Sequence, residues 1–355
     1  MKAVRLYKPG DLRVEQVGIP AVQDDEVLVK VKAVGVCGSD IPRVNRYGAH
    51  ISQITIGHEF GGEIVELGSE VKNFRQEDHV TVAPLIPCYQ CEWCKMGEYS
   101  LCEDYSYYGS RCDGAMAQYI AVKEKNLLKV SGSASFEDIA TVDPCANAMH
   151  GLIRGNFKKG ETICVCGAGP IGLYVIQCAR IMGAKKIIAV DILDQKLEVA
   201  EKCGADVTVN SANADVAESV KEATDGRGAD MVIDLTGVPA VQNTAVLCAR
   251  KLGRVVYLGI SHRPLEYSAQ TVDDLLRKQI TVTGSWNSFS QPFPGREWTE
   301  SVRLFEEGKL TSKYMISHRL ALEDAPMIFH KIATEKFFFN KIMFFPWGDG
   351  VTDTL

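Results

Sequence analysis

Two rhythms of apolar and polar residues divide this chain. Over roughly the first 145 residues, short apolar runs are separated by Gly, Pro and charge. Val27–Val34 and Gly62–Leu67 alternate residue by residue, and Val80–Ala83 and Tyr119–Val122 are brief apolar blocks. A period of two marks half-buried strands, and no helical period is sustained here, so an irregular, β-rich, barrel-like domain is expected. From about Lys159, strand and helix patterns follow each other in strict turn. Strands are predicted at Thr162–Cys166, Lys186–Val190, Val207–Val209, Met231–Leu235, Arg254–Gly259 and Ile280–Gly284. Helices are predicted at Ile171–Met182, Asp194–Cys203, Ala214–Ala223, Val238–Leu252 and Thr271–Lys278. Such an order requires a parallel sheet covered on both faces, and six strands suffice for a doubly wound α/β fold.

After Ser285 the alternation stops. Two prolines within Ser290–Gly295 precede a predicted helix, Glu297–Glu307, and a Phe-rich tail. This last part is expected to rejoin the first domain, giving residues 1–148 with 286–355 as one domain and 149–285 as the other. Residues beyond Pro346 have the pattern of a frayed end.

A length of 355 residues exceeds what one core usually serves, in keeping with two domains. The net charge of −6 and pI near 5.7 argue against nucleic acid or an anionic membrane as partner. One stretch, Thr162 to Ala179, imitates a membrane span, but Gly167, Gly169, Pro170 and Gly172 break it into strand, turn and helix. No basic segment precedes an apolar one at Met1–Val4, which points to a cytoplasmic protein. Of twelve cysteines, Cys164, Cys166, Cys178 and Cys248 lie in apolar runs and read as small buried hydrophobes.

Gly167-Ala168-Gly169-Pro170-Ile171-Gly172 sits between a strand and a helix, the context in which such a motif binds a dinucleotide. The first Gly makes the tight turn, the second leaves room for a pyrophosphate, and the third lets the helix pack on the strand. The helix N-terminus offers free N–H groups and partial positive charge to the phosphates. Asp191 closes the second strand, where a carboxylate accepts hydrogen bonds from the ribose and repels a 2′-phosphate. Asp194 adds negative charge and no Arg directly follows Asp191, so NAD is favoured over NADP. A Rossmann domain is therefore expected.

Cys88-x2-Cys91-x2-Cys94-x7-Cys102 places four soft ligands in one loop. That set suits a closed, structural zinc site, with an iron–sulfur cluster as the alternative. A second set is dispersed: Cys37 in Val36-Cys37-Gly38-Ser39-Asp40, and His58 with Glu59 in Gly57-His58-Glu59-Phe60. Thiolate, imidazole and carboxylate together make an open zinc site; singly, Cys37 is equally a core thiol and His58 a loop histidine.

With these motifs in this order, the chain resembles the medium-chain, zinc-containing dehydrogenase family over nearly its whole length. The resemblance implies a GroES-like catalytic domain built from both chain ends, with the Rossmann domain inserted. It implies two zinc ions per chain, one catalytic and one structural, with NAD as cofactor. The segments Cys37-Gly-Ser-Asp-Ile-Pro-Arg43, Asn45 to His50, Gly109-Ser110-Arg111, Gly284-Ser-Trp286 and Pro292 to Trp298 resemble the branch that oxidises polyols and their phosphates. By resemblance Cys37, His58 and Glu59 hold the catalytic zinc. Asp143 stands where the family has Glu and, one methylene shorter, reaches the ion directly or through a water. Ser39 is placed to relay the proton. A phosphorylated substrate would need cations, for which Arg43, Arg111 and Arg296 are candidates, each also readable as a surface arginine. Another departure, Glu77-Asp78-His79 where relatives carry Gly-Asp, concerns a turn. A homodimer or homotetramer is implied by resemblance, with Ile280–Gly284 as a pairing edge. Sorbitol, xylitol or threonine dehydrogenases are the alternatives, and a non-catalytic zinc- and nucleotide-binding relative is the different class.

Overall fold

The computed structural model describes residues 1–132 and 134–353. The chain forms two compact units, Met1–Asp143 with Phe289–Leu355, and Pro144–Ser288. The junctions thus fall at 143/144 and 288/289, where 148/149 and 285/286 were expected. A helix that the sequence pattern did not reveal, Val142–Arg154, runs through the first of them. Pro144 lies in its first turn, where a missing N–H costs nothing, yet along the sequence it reads as a break.

The middle unit contains β1 (Thr162–Cys166), α1 (Pro170–Ile181), β2 (Lys186–Asp191), α2 (Asp194–Lys202), β3 (Val207–Asn210) and α3 (Val216–Ala223). It continues with β4 (Ala229–Asp234), α4 (Pro239–Cys248), β5 (Ala249–Tyr257), α5 (Ala269–Arg277) and β6 (Thr281–Gly284). The six strands are parallel in the order β3-β2-β1-β4-β5-β6. Every residue of β1 is buried, and Cys164, Cys166, Ile188, Val190, Val232 and Val255 form the core of its sheet. The strand order reverses beside β1, and α1 starts from that end. In doubly wound sheets ligands bind there. Helix α4 is shorter than expected because the chain turns into β5 at Ala249; Leu252, expected in the helix, is exposed with φ 58°.

The other unit is built on a sheet in the order Leu127–Lys129, His79–Val82, Glu59–Leu67, Glu26–Gly35, Lys341–Phe345, Ile316–Ala321, with Tyr119–Lys123 also pairing with Glu26–Gly35. Phe344 pairs with Val34 and Met343 with Gly35, so the Phe-rich tail is itself a strand of this sheet. Val27, Val29, Val31, Ile64, Val80, Val122 and Phe344 fill its core. Glu77 has φ 70°, a left-handed turn conformation that glycine adopts most easily, so this departure does concern a turn.

The end is not frayed up to Asp353. The Arg319 N–H donates to the Asp353 carboxylate at 2.7 Å, and the Thr352 N–H to the Arg319 carbonyl at 3.3 Å. Trp347 packs edge-on against Tyr119. Thr354 and Leu355 lie outside the described residues. Among the described residues, no helix is long and apolar enough to cross a membrane.

Candidate functional site

Antiparallel pairing of Gly35 with Glu59 sets the end of one strand beside the start of the next. That register brings Cys37 to His58 and Glu59, and one donor atom from each lies within 4.8 Å of the others. Gly57 precedes them with φ 92°, and a Cβ there would stand 2.7 Å from Met116 Cγ, so only glycine fits. Ser39 is exposed and donates its hydroxyl to the Cys37 sulfur at 3.3 Å.

Three further residues shape this cluster, none of them foreseen. Asp40 is fully buried; its carboxylate accepts the Cys37 N–H at 3.0 Å, pairs with Arg43, and lies 3.6 Å from His58 Nδ1. Lys341, also buried, donates to the Val36 carbonyl at 3.0 Å and to the Glu59 carboxylate. Tyr107 sets its ring edge-on to His58, centroids 5.5 Å apart. Asp40 had a signal, standing in the same short motif as Cys37. Lys341 and Tyr107 had none.

The electrostatics favour a cation. Burial pushes the Cys37 thiol up, and the Glu59 and Asp40 carboxylates push it further. Burial likewise raises the Tyr107 phenol, with Asp143, Cys37 and Glu59 adding to it. Lys341 and Arg43 offset Glu59 and Asp40 in part, and a metal ion would stabilise the remaining acidic groups and the Cys37 thiolate. His58 Nδ1 is buried with no hydrogen-bond partner, and the Asp40 carboxylate lies 3.6 Å from it. Sulfur, nitrogen and oxygen donors in this number fit a zinc ion with an open position. Asp143 is buried and acts on Tyr107, but it is not among the donors that meet within 4.8 Å.

The four cysteines of the lobe also converge, their sulfurs all within 4.8 Å of one another. Cys88 Sγ and Cys94 Sγ are 3.9 Å apart. That is far beyond a disulfide, and close to the roughly 3.8 Å edge of a tetrahedron with metal–sulfur bonds of about 2.3 Å. N–H groups of Gln90 and Cys91 point at the Cys88 sulfur and bring its thiol down to about 6. Cys91 is lowered in the same way by the N–H groups of Glu103 and Cys94. Backbone N–H groups thus ease ionisation at two corners before any ion binds.

In the middle unit, Gly167 turns with φ 105° between β1 and α1. A Cβ on Gly172 would lie 2.0 Å from the Gly167 carbonyl, whereas a Cβ on Gly169 would meet nothing within 4 Å. The first observation fits close helix packing, the second leaves space for a pyrophosphate. Pro170 opens α1 and Ile171 follows. Asp191, ending β2, accepts the Ala168 N–H at 2.8 Å and those of Ile192 and Leu193 at 2.8 and 3.1 Å. A cavity of about 1580 Å³ opens here, with Gly167, Gly169, Asp191, Ile192, Lys196 and Ser211 in its lining.

Of the three arginines, Arg43 contacts Asp40 and so adjoins the Cys37 cluster. The Arg111 guanidinium lies 4.5 Å over the Tyr105 ring, on the turn that follows Tyr107. Arg296 is exposed at the start of helix Arg296–Glu306, and among the described residues no contact joins it to the other two.

Residues 23–132 match the alcohol dehydrogenase GroES-like domain, and residues 170–307 the zinc-binding dehydrogenase domain. Over 334 residues, the chain is 37% identical to galactitol 1-phosphate 5-dehydrogenase of Escherichia coli (strain K12), covering 94% of this chain and 96% of the relative. The chain belongs to the zinc-containing alcohol dehydrogenase family. The crystal structure of galactitol-1-phosphate dehydrogenase from Escherichia coli matches with a TM-score of 0.92 at 36% identity, covering 98% of this chain and 100% of that one. Sorbitol dehydrogenase of Bacillus subtilis (strain 168) is 30% identical, over 98% of this chain and 97% of the relative. The structure of a zinc-binding dehydrogenase from Sinorhizobium meliloti 1021 bound to NADP has a TM-score of 0.90 at 31% identity, covering 97% and 99%. As a family member the protein is an oxidoreductase, a GroES-like unit joined to a Rossmann unit.

Proposed function

We propose that this dehydrogenase moves a hydride between NAD and a secondary alcohol of a polyol or polyol phosphate. Galactitol 1-phosphate, oxidised to a ketose phosphate, is the specific substrate proposed. The observation that carries the reading is the meeting of Cys37, His58 and Glu59 beside a solvent-facing Ser39. When bound there, zinc supplies a Lewis acid that makes a hydroxyl easier to deprotonate. Cys37, His58 and Glu59 would hold the ion, with Asp40 positioned to orient the imidazole and Lys341 to fix the Glu59 carboxylate. Asp143, outside the donor group, acts through a water. Ser39 takes the substrate proton towards solvent. Cys88, Cys91, Cys94 and Cys102 hold the second, structural zinc. Arg43 and Arg111 are the cations for a phosphate; Arg296 has no support in that role. The exposed edge strand β6 is the surface proposed for pairing two copies.

The test is NAD reduction by zinc-loaded protein with galactitol 1-phosphate, sorbitol, xylitol and threonine in parallel. The highest kcat/KM is expected on galactitol 1-phosphate. A higher value on sorbitol would move the assignment to the free-polyol enzymes, the reading that likeness to sorbitol dehydrogenase supports. No turnover at two zinc ions per chain would favour a non-catalytic relative.

NAD is preferred to NADP because Asp191 ends β2 and lines the nucleotide cavity. Replacing Asp191 by Ala removes the ribose acceptor and also frees the Ala168 N–H. NAD binding should weaken about 10-fold or more, and NADP discrimination should shrink by a similar factor. Dissociation constants for both nucleotides check this; an unaltered NAD/NADP ratio would show that Asp191 does not set the preference.

A further inference from the structure

We propose that His50 completes an anion cradle with Arg43 and Arg111 and determines that the substrate carries a phosphate. This rests on the polyol reading above and narrows it. Gly48 closes the turn after Arg43, its N–H donating to the Arg43 carbonyl at 2.9 Å. Two residues on, the His50 N–H donates to the Ser110 carbonyl at 3.3 Å. The N–H groups of Ser110, Arg111 and Cys112 in turn all converge on the Tyr107 carbonyl, at 3.2, 2.9 and 3.3 Å. The backbone at His50 therefore stitches the turn carrying Arg43 to the turn carrying Arg111.

His50 and Arg111 are exposed, and both arginines are near enough to bias His50 towards its neutral form. Partial burial lowers the His50 imidazole, and Arg111 and then Arg43 lower it further. Among the described residues no carboxylate pairs with His50 or Arg111, and the only charged partner of Arg43 is Asp40, itself shared with His58. A neutral imidazole beside the Arg111 and Arg43 guanidiniums can donate its ring N–H to an anion that the two cations attract. A phosphate monoester offers three acceptor oxygens and up to two negative charges, enough for two guanidiniums and an imidazole N–H. Both ends of the cradle are tied to the donor cluster, one through Arg43, Asp40 and Cys37, the other through Tyr107 and His58. A phosphate held there belongs to the same molecule whose hydroxyl reaches Cys37, His58 and Glu59. A free polyol offers this cradle neutral hydroxyl acceptors but no negative charge.

The experiment compares wild type, His50→Ala and His50→Gln on galactitol 1-phosphate and on free galactitol, with inorganic phosphate as inhibitor in each case. For His50→Ala the ratio of kcat/KM, phosphorylated over free, should fall about 10- to 100-fold, chiefly through KM, and inorganic phosphate should inhibit correspondingly less. His50→Gln keeps a donor and should recover most of the ratio. A loop residue with a merely structural role would lower both substrates together, and an unaltered ratio overturns the proposal. So does a wild-type enzyme indifferent to inorganic phosphate. Phosphate inhibition that depends on His50, in an enzyme that nonetheless prefers free galactitol, would uphold the cradle and sink the substrate assignment instead.

Discussion

A Cys37→Ser variant should lose turnover by a factor on the order of 10³ or more, while its NAD dissociation constant stays within about threefold of wild type. Serine keeps the shape and the backbone N–H that Asp40 accepts, so the turn from Cys37 to Asp40 should persist. What disappears is the soft donor. A hydroxyl does not ionise near neutral pH, whereas a thiol does once a dication offsets the burial and the Glu59 and Asp40 carboxylates that push it up. The nucleotide turn lies in the other compact unit, with its own core around β1, and does not depend on Cys37. Zinc content should drop from two ions per chain to one. Full activity with two ions retained would remove Cys37 from the mechanism.

The middle unit was the easiest part to foresee, for physical reasons. Its central strands β1 and β4 are buried throughout and read as apolar runs, Gly167 and Gly172 answer steric demands that larger residues do not meet, and Gly169 leaves open space. The four-cysteine lobe was as plain, since one loop carries every ligand. The Cys37 cluster was harder. Its members meet only because Gly35 pairs with Glu59, and register across a sheet cannot be seen in spacing along a chain. Lys341, 282 positions from the carboxylate it holds, was beyond reach, as was Tyr107. Pro144 hid the start of a helix, and the polar residues after Pro346 hid the Asp353 carboxylate that ties the end to Arg319. Among the candidate arginines, Arg43 adjoins the donors through Asp40, whereas Arg111 and Arg296 are both exposed.

Cys94→Ser should have the largest effect on stability. Between strands Leu85–Ile86 and Ser106–Tyr107 the lobe contains only two short helical turns, Glu92–Lys95 and Tyr99–Leu101. Little apolar surface is available there beyond the packing of Tyr89 and Tyr99 on Phe293. Four sulfurs around one ion are what can hold such a segment. Cys94 is the most awkward corner to lose. It is buried, and burial raises its thiol, so a vacated site would leave an uncompensated polar group and two thiols already biased towards thiolate, Cys88 and Cys91. Loss of the ion should cost about 4 kcal/mol, lowering the melting midpoint by roughly 5–10 °C. Cleavage by a protease should appear first between Cys88 and Cys102. Activity should fall too, because the strand that closes the lobe ends in Tyr107, whose ring packs on His58. Zinc analysis, a melting curve and limited proteolysis check the three effects together. Two ions per chain with an unmoved midpoint would show that the lobe stands without its fourth sulfur.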